Sequence, residues 1–389
     1  MTAAAIVLSP RDGLTIKDPR GFQPGSQAAR SLSWPLPPTV AGALRTAVGL
    51  GRGFRADGSD RDRWLRLKEE IGVAGPLPVE RRQGDADPGW RPLWPAPADA
   101  LLAAEEGEGR LHWFPPLPPA RTARGCWERR GDLADNLWRS RPSLREKPLE
   151  MPRWWPHQTF MRWLEDPGAV ATFDRRPVTP AVRTDVHLAL DPATGAASEG
   201  HLFSLETVEP LLSGDGSELG VYVRLDSPAP GLGVLCLGGE QRMASAEELP
   251  MNSDPFALPA EYQSRWNPST SFRLVLVTPA PFAAGWRPDW IDESGHGSVP
   301  GTDLAVVLRA AFIPRPVPVS GWDLVTWGPK ASRLCVPAGS CYYFEATGRE
   351  LNRDDLAALW CRQIVLDRQD LLDGYGMAVP GAWPRAPRA

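Results

Sequence analysis

The sequence predicts an α+β protein of two tandem ferredoxin-like (RRM-like) domains, with a long insertion rich in proline, arginine and tryptophan in the first. Each half of the chain reads as strand, helix or turn, hairpin, helix or long loop, and final strand, which is the split βαβ order. The 43 prolines and 37 glycines among 389 residues allow only short helices and many turns. The 17 tryptophans need a packed interior, so disorder is not expected.

The first domain is predicted to span residues 1–260 and to open with a strand and an amphipathic helix. Ala4–Leu8 is apolar without alternation, which indicates a strand buried on both faces. Pro37 and Pro38 open the helix, and we expect Thr39 to cap it. Apolar residues follow at helical spacing, at Val40, Ala43, Leu44, Ala47 and Val48.

The middle of the chain consists of a segment without a clear secondary-structure pattern, followed by a set of predicted strands. Residues 51–180 are dominated by proline, arginine and tryptophan, and we interpret them as an insertion of loops and short helices. Asp185–Leu190 and His201–Glu209 flank an Asp-Pro-Ala-Thr-Gly turn, which predicts a β-hairpin. Gly220–Leu225 and Gly233–Leu237 continue the sheet.

The second domain is predicted to span residues 261–389 and to end in a glycine-rich loop. Phe272–Thr278 is the clearest strand of the chain, and Leu304–Ile313 and Ser340–Ala346 add further strands. Asn352 is expected to cap a closing helix. The chain then runs through the glycines of 374–381.

Charge is distributed unevenly along the chain. Residues 1–183 sum to +6 and residues 184–389 to −10, within a net charge of −4. A basic half joined to an acidic half suggests one polyanionic partner and a separate protein neighbour. Arginine makes up 39 of the 43 basic residues, and its guanidinium plane suits phosphate recognition, although a GC-rich genome produces the same bias.

Several protein classes are disfavoured. No apolar run reaches the ~20 residues of a membrane span, and the N-terminus has no basic region of a secretory signal. Five cysteines without CxxC spacing predict reduced thiols in a cytoplasmic protein rather than disulfides or a structural zinc site. The five histidines never pair at metal-binding spacing, and no nucleotide-loop or nucleophile-elbow motif occurs, so we expect no metal and no cofactor.

Seven segments in order along the chain resemble the motifs of one family. They are Pro10–Phe22, Ser33–Thr46, Ala189–Phe203, Gly233–Arg242, Thr278–Pro288, Val336–Ser340 and Gly374–Trp383. The second reads Ser-Trp-Pro-Leu-Pro-Pro-Thr-Val-Ala-Gly-Ala-Leu-Arg-Thr and is similar to the "PPPsTxxGAlRt" helix of CRISPR RAMP-superfamily proteins. The resemblance is greatest to the third subunit of the Cmr (type III-B) effector complex, a relative of the Cas-five group, and it does not extend to residues 51–180.

The resemblance implies a non-catalytic subunit of an RNA-guided complex that acts in antiviral defence. Such a subunit would bind the 5′ repeat-derived tag of the crRNA and dock the large polymerase/cyclase-like subunit, beside the backbone RAMP subunit of the complex. Target choice is then delegated to guide–target pairing, while the protein reads backbone and shape. Tandem ferredoxin-like units are also frequent in RNA recognition.

Candidate RNA contacts fall in three groups. The first surrounds the start of the opening helix, where backbone N–H groups and basic side chains could meet phosphate: Lys17, Arg30, Thr39 and Arg45. The second follows an apolar strand and consists of Gly238, Gly239 and Arg242. The third is the terminal loop with Gly374, Tyr375 and Gly376, in which the tyrosine could stack a base. In each group the alternative is a structural role, as a cap, a surface ion pair, a turn or a packed loop.

Two enzyme classes remain as alternatives. A RAMP-type, metal-independent endoribonuclease that processes repeat RNA would need a histidine general base, for which His187 or His112 is the candidate. A tryptophan-rich carbohydrate-binding protein or hydrolase would need a carboxylate pair, for which residues 289–293 hold the best cluster.

Overall fold

The chain folds into a strand-rich, mixed α/β structure, as the sequence predicts in general terms. The computed structural model describes residues 4–16, 18, 28–29, 31–82, 89–105, 107–118, 133, 137–140, 144, 146–212, 217–227, 231–250, 252–323 and 328–384. Among the helices of these ranges, none combines the length and apolar character needed to cross a bilayer.

The N-terminal half is organised around an eight-stranded antiparallel sheet. Seven strands follow the order β12-β13-β1-β11-β3-β4-β7, and the eighth, β10, pairs with β11 beside this path. The strands of residues 4–250 are β1 (Ala4–Pro10), β2 (Ala28–Ala29), β3 (Val73–Arg82), β4 (Arg91–Pro95), β5 (Ala100–Glu105), β6 (Glu108–Trp113), β7 (Trp154–Pro156), β8 (Val182–Leu190), β9 (Ala197–Val208), β10 (Leu211–Leu212), β11 (Ser217–Leu225), β12 (Val234–Cys236) and β13 (Met243–Leu249). The helices of this half are α1 (Pro37–Gly51), α2 (Arg61–Glu70) and α3 (His157–Glu165). Hairpins β8–β9 and β5–β6 lie outside the sheet.

The C-terminal half is organised around a six-stranded antiparallel sheet of order β15-β16-β21-β14-β23-β22. Its strands and the short ladders beside it are β14 (Ser271–Leu276), β15 (His296–Ser298), β16 (Ala305–Phe312), β17 (Val317–Val319), β18 (Trp322–Asp323), β19 (Gly328–Pro329), β20 (Arg333–Cys335), β21 (Cys341–Ala346), β22 (Arg362–Gln363) and β23 (Met377–Ala382). The helices are α4 (Ala260–Arg265), α5 (Arg353–Leu359) and α6 (Arg368–Asp373).

Elements with a clear local pattern form as predicted. Strand β1 is buried on both faces, and β14 is buried along its whole length at the centre of the second sheet. Hairpin β8–β9 forms around the predicted turn. Asn352 caps α5 through a capping box, in which its side chain accepts from the N–H groups of Asp354 and Asp355.

Residues 51–180 differ from the prediction of loops and short helices, because the part that the structure describes contains five strands. Strand β3 pairs with β11 inside the main sheet, so the core of the N-terminal half includes residues that the prediction assigned to the insertion. The prolines of β3 disfavour a strand when the prediction uses only the local sequence. Pro76 is accommodated because it lies where the register shifts between Tyr222 and Arg224.

Two apolar clusters hold the structure together. One lies between the first sheet and its helices and includes Ile6, Leu8, Val40, Leu44 and Leu67. The other joins the opposite face of that sheet to the second sheet, and includes Val7, Leu77, Tyr222, Leu274 and Phe344. Since this cluster runs across residue 260, the halves share a core, and the domain boundary there remains a prediction.

A buried ion pair fastens the segment of residues 90–165 to the second sheet. The guanidinium of Arg273, in the central strand β14, donates to Asp99 and to the carbonyl oxygen of Trp163, and both charged side chains are fully buried. Tyr343 and the indole of Trp163 (3.0 Å) also donate to the Asp99 carboxylate. Burial alone would lower the pKa of Arg273, but the attraction of Asp99 outweighs it and the pKa is raised.

A second buried titratable group lies beside the same segment. Trp94 donates its indole N–H to Nδ1 of His157 at 3.0 Å, which requires a ring nitrogen without a proton. Burial lowers the pKa of His157 to about 4, while the charge of Asp174 opposes part of this shift. The folded chain therefore holds this histidine neutral.

We predict that Asp99→Asn destabilises the fold by about 3–5 kcal/mol, because Arg273 would remain buried without its counter-charge. The measurement is the free energy of unfolding in denaturant. The control is Glu70→Gln, which removes the exposed ion pair between Glu70 and Arg52 (2.8 Å) and should cost less than about 1 kcal/mol. Equal losses in the two variants would contradict the role given to Asp99.

We also predict that the free energy of unfolding decreases as the pH is lowered from about 6.5 to about 4. The pKa of His157 is depressed in the folded state, so in this window the unfolded chain binds a proton that the folded chain does not, at a cost of up to about 3 kcal/mol. His157→Asn keeps an acceptor that does not titrate and should flatten this dependence in denaturant titrations at pH 7 and pH 5. A variant with the wild-type slope would show that another group carries it.

Candidate nucleic-acid interface

Three segments with recognisable sequence patterns meet beside Leu14–Ile16. Leu14 and Val208 at the base of hairpin β8–β9 exchange backbone hydrogen bonds of 2.8 Å, and the N–H of Gly239 donates to the carbonyl oxygen of Thr15 at 2.7 Å. On the other side, the N–H of Ile16 donates to the hydroxyl of Ser31 at 2.9 Å. We call Leu14–Ile16, Ser31, Val208 and Gly238–Arg242 the Thr15 junction.

The double glycine in this junction serves a contact within the protein. Gly238 has a φ of 86°, and a Cβ added there would lie 2.6 Å from the carbonyl oxygen of Thr15. Only glycine allows this approach of two backbones. The loop itself is exposed, and Arg242 at its end is half-buried, with a buried Nε that has no hydrogen-bond partner among the described residues.

The same loop contains a feature that sequence reasoning missed. Glu240 and Gln241 both have left-handed backbone angles, with φ of 55° and 51°, and the N–H of Arg242 closes the turn on the carbonyl oxygen of Gly239 at 3.2 Å. Positions of this kind favour glycine or asparagine, so residue types gave no signal. Strained positions cluster at functional sites.

The start of helix α1 differs from the prediction at Thr39. Leu36 occupies the N-cap position and makes no side-chain cap, and Pro37 and Pro38 fill the first helical positions. Prolines have no N–H, while the N–H groups of Thr39 and Val40 both donate to the carbonyl oxygen of Leu36. The expected phosphate site of free N–H groups is therefore absent from this helix start.

Arg45, a candidate phosphate contact with a surface ion pair as the alternative, is buried between the two halves. Its guanidinium donates to the carbonyl oxygens of Ile71 (3.1 and 2.8 Å) and Leu372 (2.7 Å) and forms an ion pair with Asp373. A phosphate could reach this side chain only if the contact opened. The carboxylate that pairs with Arg45, that of Asp373, is 328 residues away in the sequence.

The terminal glycine loop packs against the first sheet. A Cβ on Gly374, whose φ is 94°, would lie 2.1 Å from the carbonyl oxygen of Gly75, and the N–H of Gly376 donates to the carbonyl oxygen of Pro279 at 2.8 Å. The ring of Tyr375 is only 4% exposed, with Arg333 placed 5.9 Å above its centroid. The expectation of a base-stacking tyrosine is corrected here, because Tyr375 is packed in the core.

The remaining candidates are placed as follows. Lys17 and Arg30 lie outside the described residues. His187 is exposed and stacks on Phe203 with 5.4 Å between ring centroids, and Nε2 of His112 lies 3.3 Å from Glu105. No group of three or more potential metal ligands occurs in the described ranges. Neither the nuclease nor the hydrolase alternative is tested by these contacts.

We predict that Gly374→Ala is more destabilising than Gly58→Ala. Both glycines have left-handed angles, with φ of 94° and 90°, so each alanine incurs about 1–2 kcal/mol of backbone strain. At Gly58 nothing lies within 4 Å of the new Cβ, whereas at Gly374 the carbonyl oxygens of Gly75 and Val73 (2.7 Å) block it. The difference in melting temperature reports the clash alone, and its absence would show that the loop is not clamped against β3.

Comparison with known proteins identifies a family. Residues 6–383 match the family described as CRISPR-associated protein (Cas_Cmr3). No curated protein matches the sequence. Among solved structures, a chain of the type III-B Cmr-beta complex bound to cognate target RNA has 14% identity and a TM-score of 0.47, over 87% of this chain and 86% of that chain. A chain of the same complex bound to cognate target RNA and AMPPnP, in state 1, has 13% identity and a TM-score of 0.46 over the same shares.

The family match spans both halves, including residues 51–180, where no motif had been recognised in the sequence. It also spans the Thr15 junction, Arg45 and the terminal glycine loop. This protein therefore belongs to the Cas_Cmr3 family of CRISPR-associated proteins.

Proposed function

We propose that the protein is a non-catalytic subunit of a type III-B CRISPR effector complex in the cytoplasm. It binds the 5′ repeat-derived tag of the crRNA, docks the large polymerase/cyclase-like subunit, and neighbours the backbone RAMP subunit. The observation that carries this proposal is the family match over residues 6–383, nearly the whole chain. The separation of a basic and an acidic half supports an RNA partner and a protein partner on different surfaces.

We further propose that each sheet is the core of a ferredoxin-like RAMP domain. Strands β13-β1-β11-β3 and β23-β14-β21-β16 both run in the order fourth, first, third, second, with antiparallel neighbours, as expected for two interleaved split βαβ units. Helices α1 and α2 connect the first and second strands of the first sheet, and α5 and α6 connect the third and fourth strands of the second. The other two helix positions are taken by hairpins or turns.

The proposed RNA surface is the Thr15 junction with the basic residues that adjoin it. Arg242 is its best described phosphate contact, because this half-buried basic side chain stands beside a strained, exposed loop. Lys17 follows Ile16 directly in sequence. Arg45, Gly374 and Tyr375 support RNA binding only indirectly, by holding the halves that carry this surface.

We predict that Arg242→Gln weakens binding of a tag-bearing RNA and lowers the slope of log K against log salt by about one unit, because one phosphate contact is lost. Filter binding at several salt concentrations measures both effects. The control is Arg66→Gln on the exposed face of α2, which should change neither. Equal affinities and slopes for wild type and Arg242→Gln would remove Arg242 from the interface.

The tag-bearing RNA also distinguishes a non-catalytic subunit from an endoribonuclease. Incubation with the wild-type protein in EDTA should leave it intact. A discrete cut that His187→Ala abolishes would instead support the endoribonuclease alternative, and failure of the wild-type protein to bind tag RNA, alone or assembled, would contradict the proposed function.

A further inference from the structure

A surface pocket of about 260 Å³ lies where the end of helix α1 meets one face of helix α2. Its lining consists of three arginines, one phenylalanine and one glutamate, namely Arg52, Phe54, Arg63, Arg66 and Glu70. The three lining residues of α2 are three and four positions apart, so they share one face of that helix. The pocket belongs entirely to the N-terminal half and shares no residue with the Thr15 junction.

Arg63 is held in one orientation by contacts within the protein. Its guanidinium lies 4.0 Å from the centroid of the Phe54 ring and donates to the carboxylate of Asp60 at 3.0 Å. A longer hydrogen bond of 3.5 Å joins it to the carbonyl oxygen of Arg52. Phe54 is fixed in turn by an edge contact with the buried Trp64, with 5.2 Å between ring centroids. Because Arg63 is already ordered, it loses less side-chain entropy when it binds an anion.

Arg66 differs from the other two arginines because it has no partner. Arg52 forms an ion pair with Glu70 at 2.8 Å, and Arg63 forms one with Asp60. Arg66 is exposed and makes neither a hydrogen bond nor an ion pair with any described residue. Two arginines one turn apart on a helix repel each other, so this face is not arranged for the stability of α2. An anion bound by Arg63 and Arg66 together would offset that repulsion with charge-assisted hydrogen bonds.

The charges around the pocket favour a protein ligand over a nucleic acid. Residues 52–70 carry six basic and five acidic side chains, and the acidic ones are exposed apart from the half-buried Asp60. A phosphodiester chain is charged at every residue, so these carboxylates would repel it beyond the pocket. A single carboxylate side chain needs only the local positive charge.

Apolar surface on the same two helices points to the same class of ligand. Leu50, near the end of α1, is 54% exposed, and Leu65, on α2, is 44% exposed. Arginine combined with apolar side chains is typical of protein–protein interfaces, which are poor in lysine.

We propose that this arginine pocket binds an aspartate or glutamate side chain from an acidic segment of a neighbouring protein. The carboxylate accepts hydrogen bonds from Arg63 and Arg66. Arg52 neutralises Glu70, which would otherwise repel the incoming carboxylate. The inference does not rest on the proposed function, because the pocket requires neither the tag RNA nor the Thr15 junction.

The test measures the binding of a fluorescent oligoglutamate peptide to the purified full chain by anisotropy. The wild-type protein should bind it, more weakly as salt is added, and should not bind the matched oligoglutamine peptide. Arg66→Gln and Arg63→Gln should each lower the affinity about threefold, as expected for the loss of one exposed ionic contact. The control is Arg162→Gln, an exposed helical arginine of α3 outside the pocket, which should leave the affinity unchanged.

Three results would overturn the proposal. The first is failure of the wild-type protein to bind oligoglutamate, and the second is wild-type affinity in both pocket variants. The third is displacement of the peptide by oligouridine RNA together with weaker binding of that RNA to Arg66→Gln, because the pocket would then be a nucleic-acid site.

Two further measurements distinguish the pocket from other roles of the chain. Because Arg66 is exposed and unpartnered, Arg66→Gln should melt at the wild-type temperature, and a loss of several degrees would show a structural role and contradict the proposal. If tag-bearing RNA fails to bind while oligoglutamate still binds, the result counts against the proposed function and leaves the arginine pocket supported.

Discussion

The ion pair between Arg273 and Asp99 is the contact on which the rest of the structure most depends. Both charges are wholly removed from water, so neither can lose its partner without leaving a buried charge. Arg273 belongs to the central strand of the second sheet, and Asp99 belongs to the stretch of residues 51–180 that was predicted to be loops and short helices. The pair therefore fixes the described residues around Asp99 and Trp163 to the shared core.

Several family motif residues act in the same way, by joining one half of the chain to the other. Arg45 reaches Asp373 and Leu372, and Gly374 allows the terminal loop to approach the backbone of Gly75. Within the N-terminal half, Gly238 of the β12–β13 loop permits a similarly close contact with Thr15. Residue types typical of phosphate binding thus provide close backbone packing here, and the relative position of the halves follows from them.

That fixed position creates the surfaces available for ligands. The Thr15 junction gathers three separate segments of the N-terminal half around one short stretch of backbone. A cleft of about 700 Å³ is lined by residues of both halves. The buried arginines Arg45 and Arg273 have carboxylate partners, whereas Arg242 retains a buried nitrogen without a partner among the described residues.

By itself, the sequence determined the elements whose signal is local: the buried strands β1 and β14, the hairpin β8–β9, the Asn352 cap and the order of the family motifs. It could not reveal β3, in which Pro76 is accommodated where the register between β3 and β11 shifts. Nor could it show that Arg45 and Tyr375 are buried. Burial and pairing depend on residues far away in the chain, so only the tertiary structure decided which of the basic and aromatic side chains remain open to a ligand.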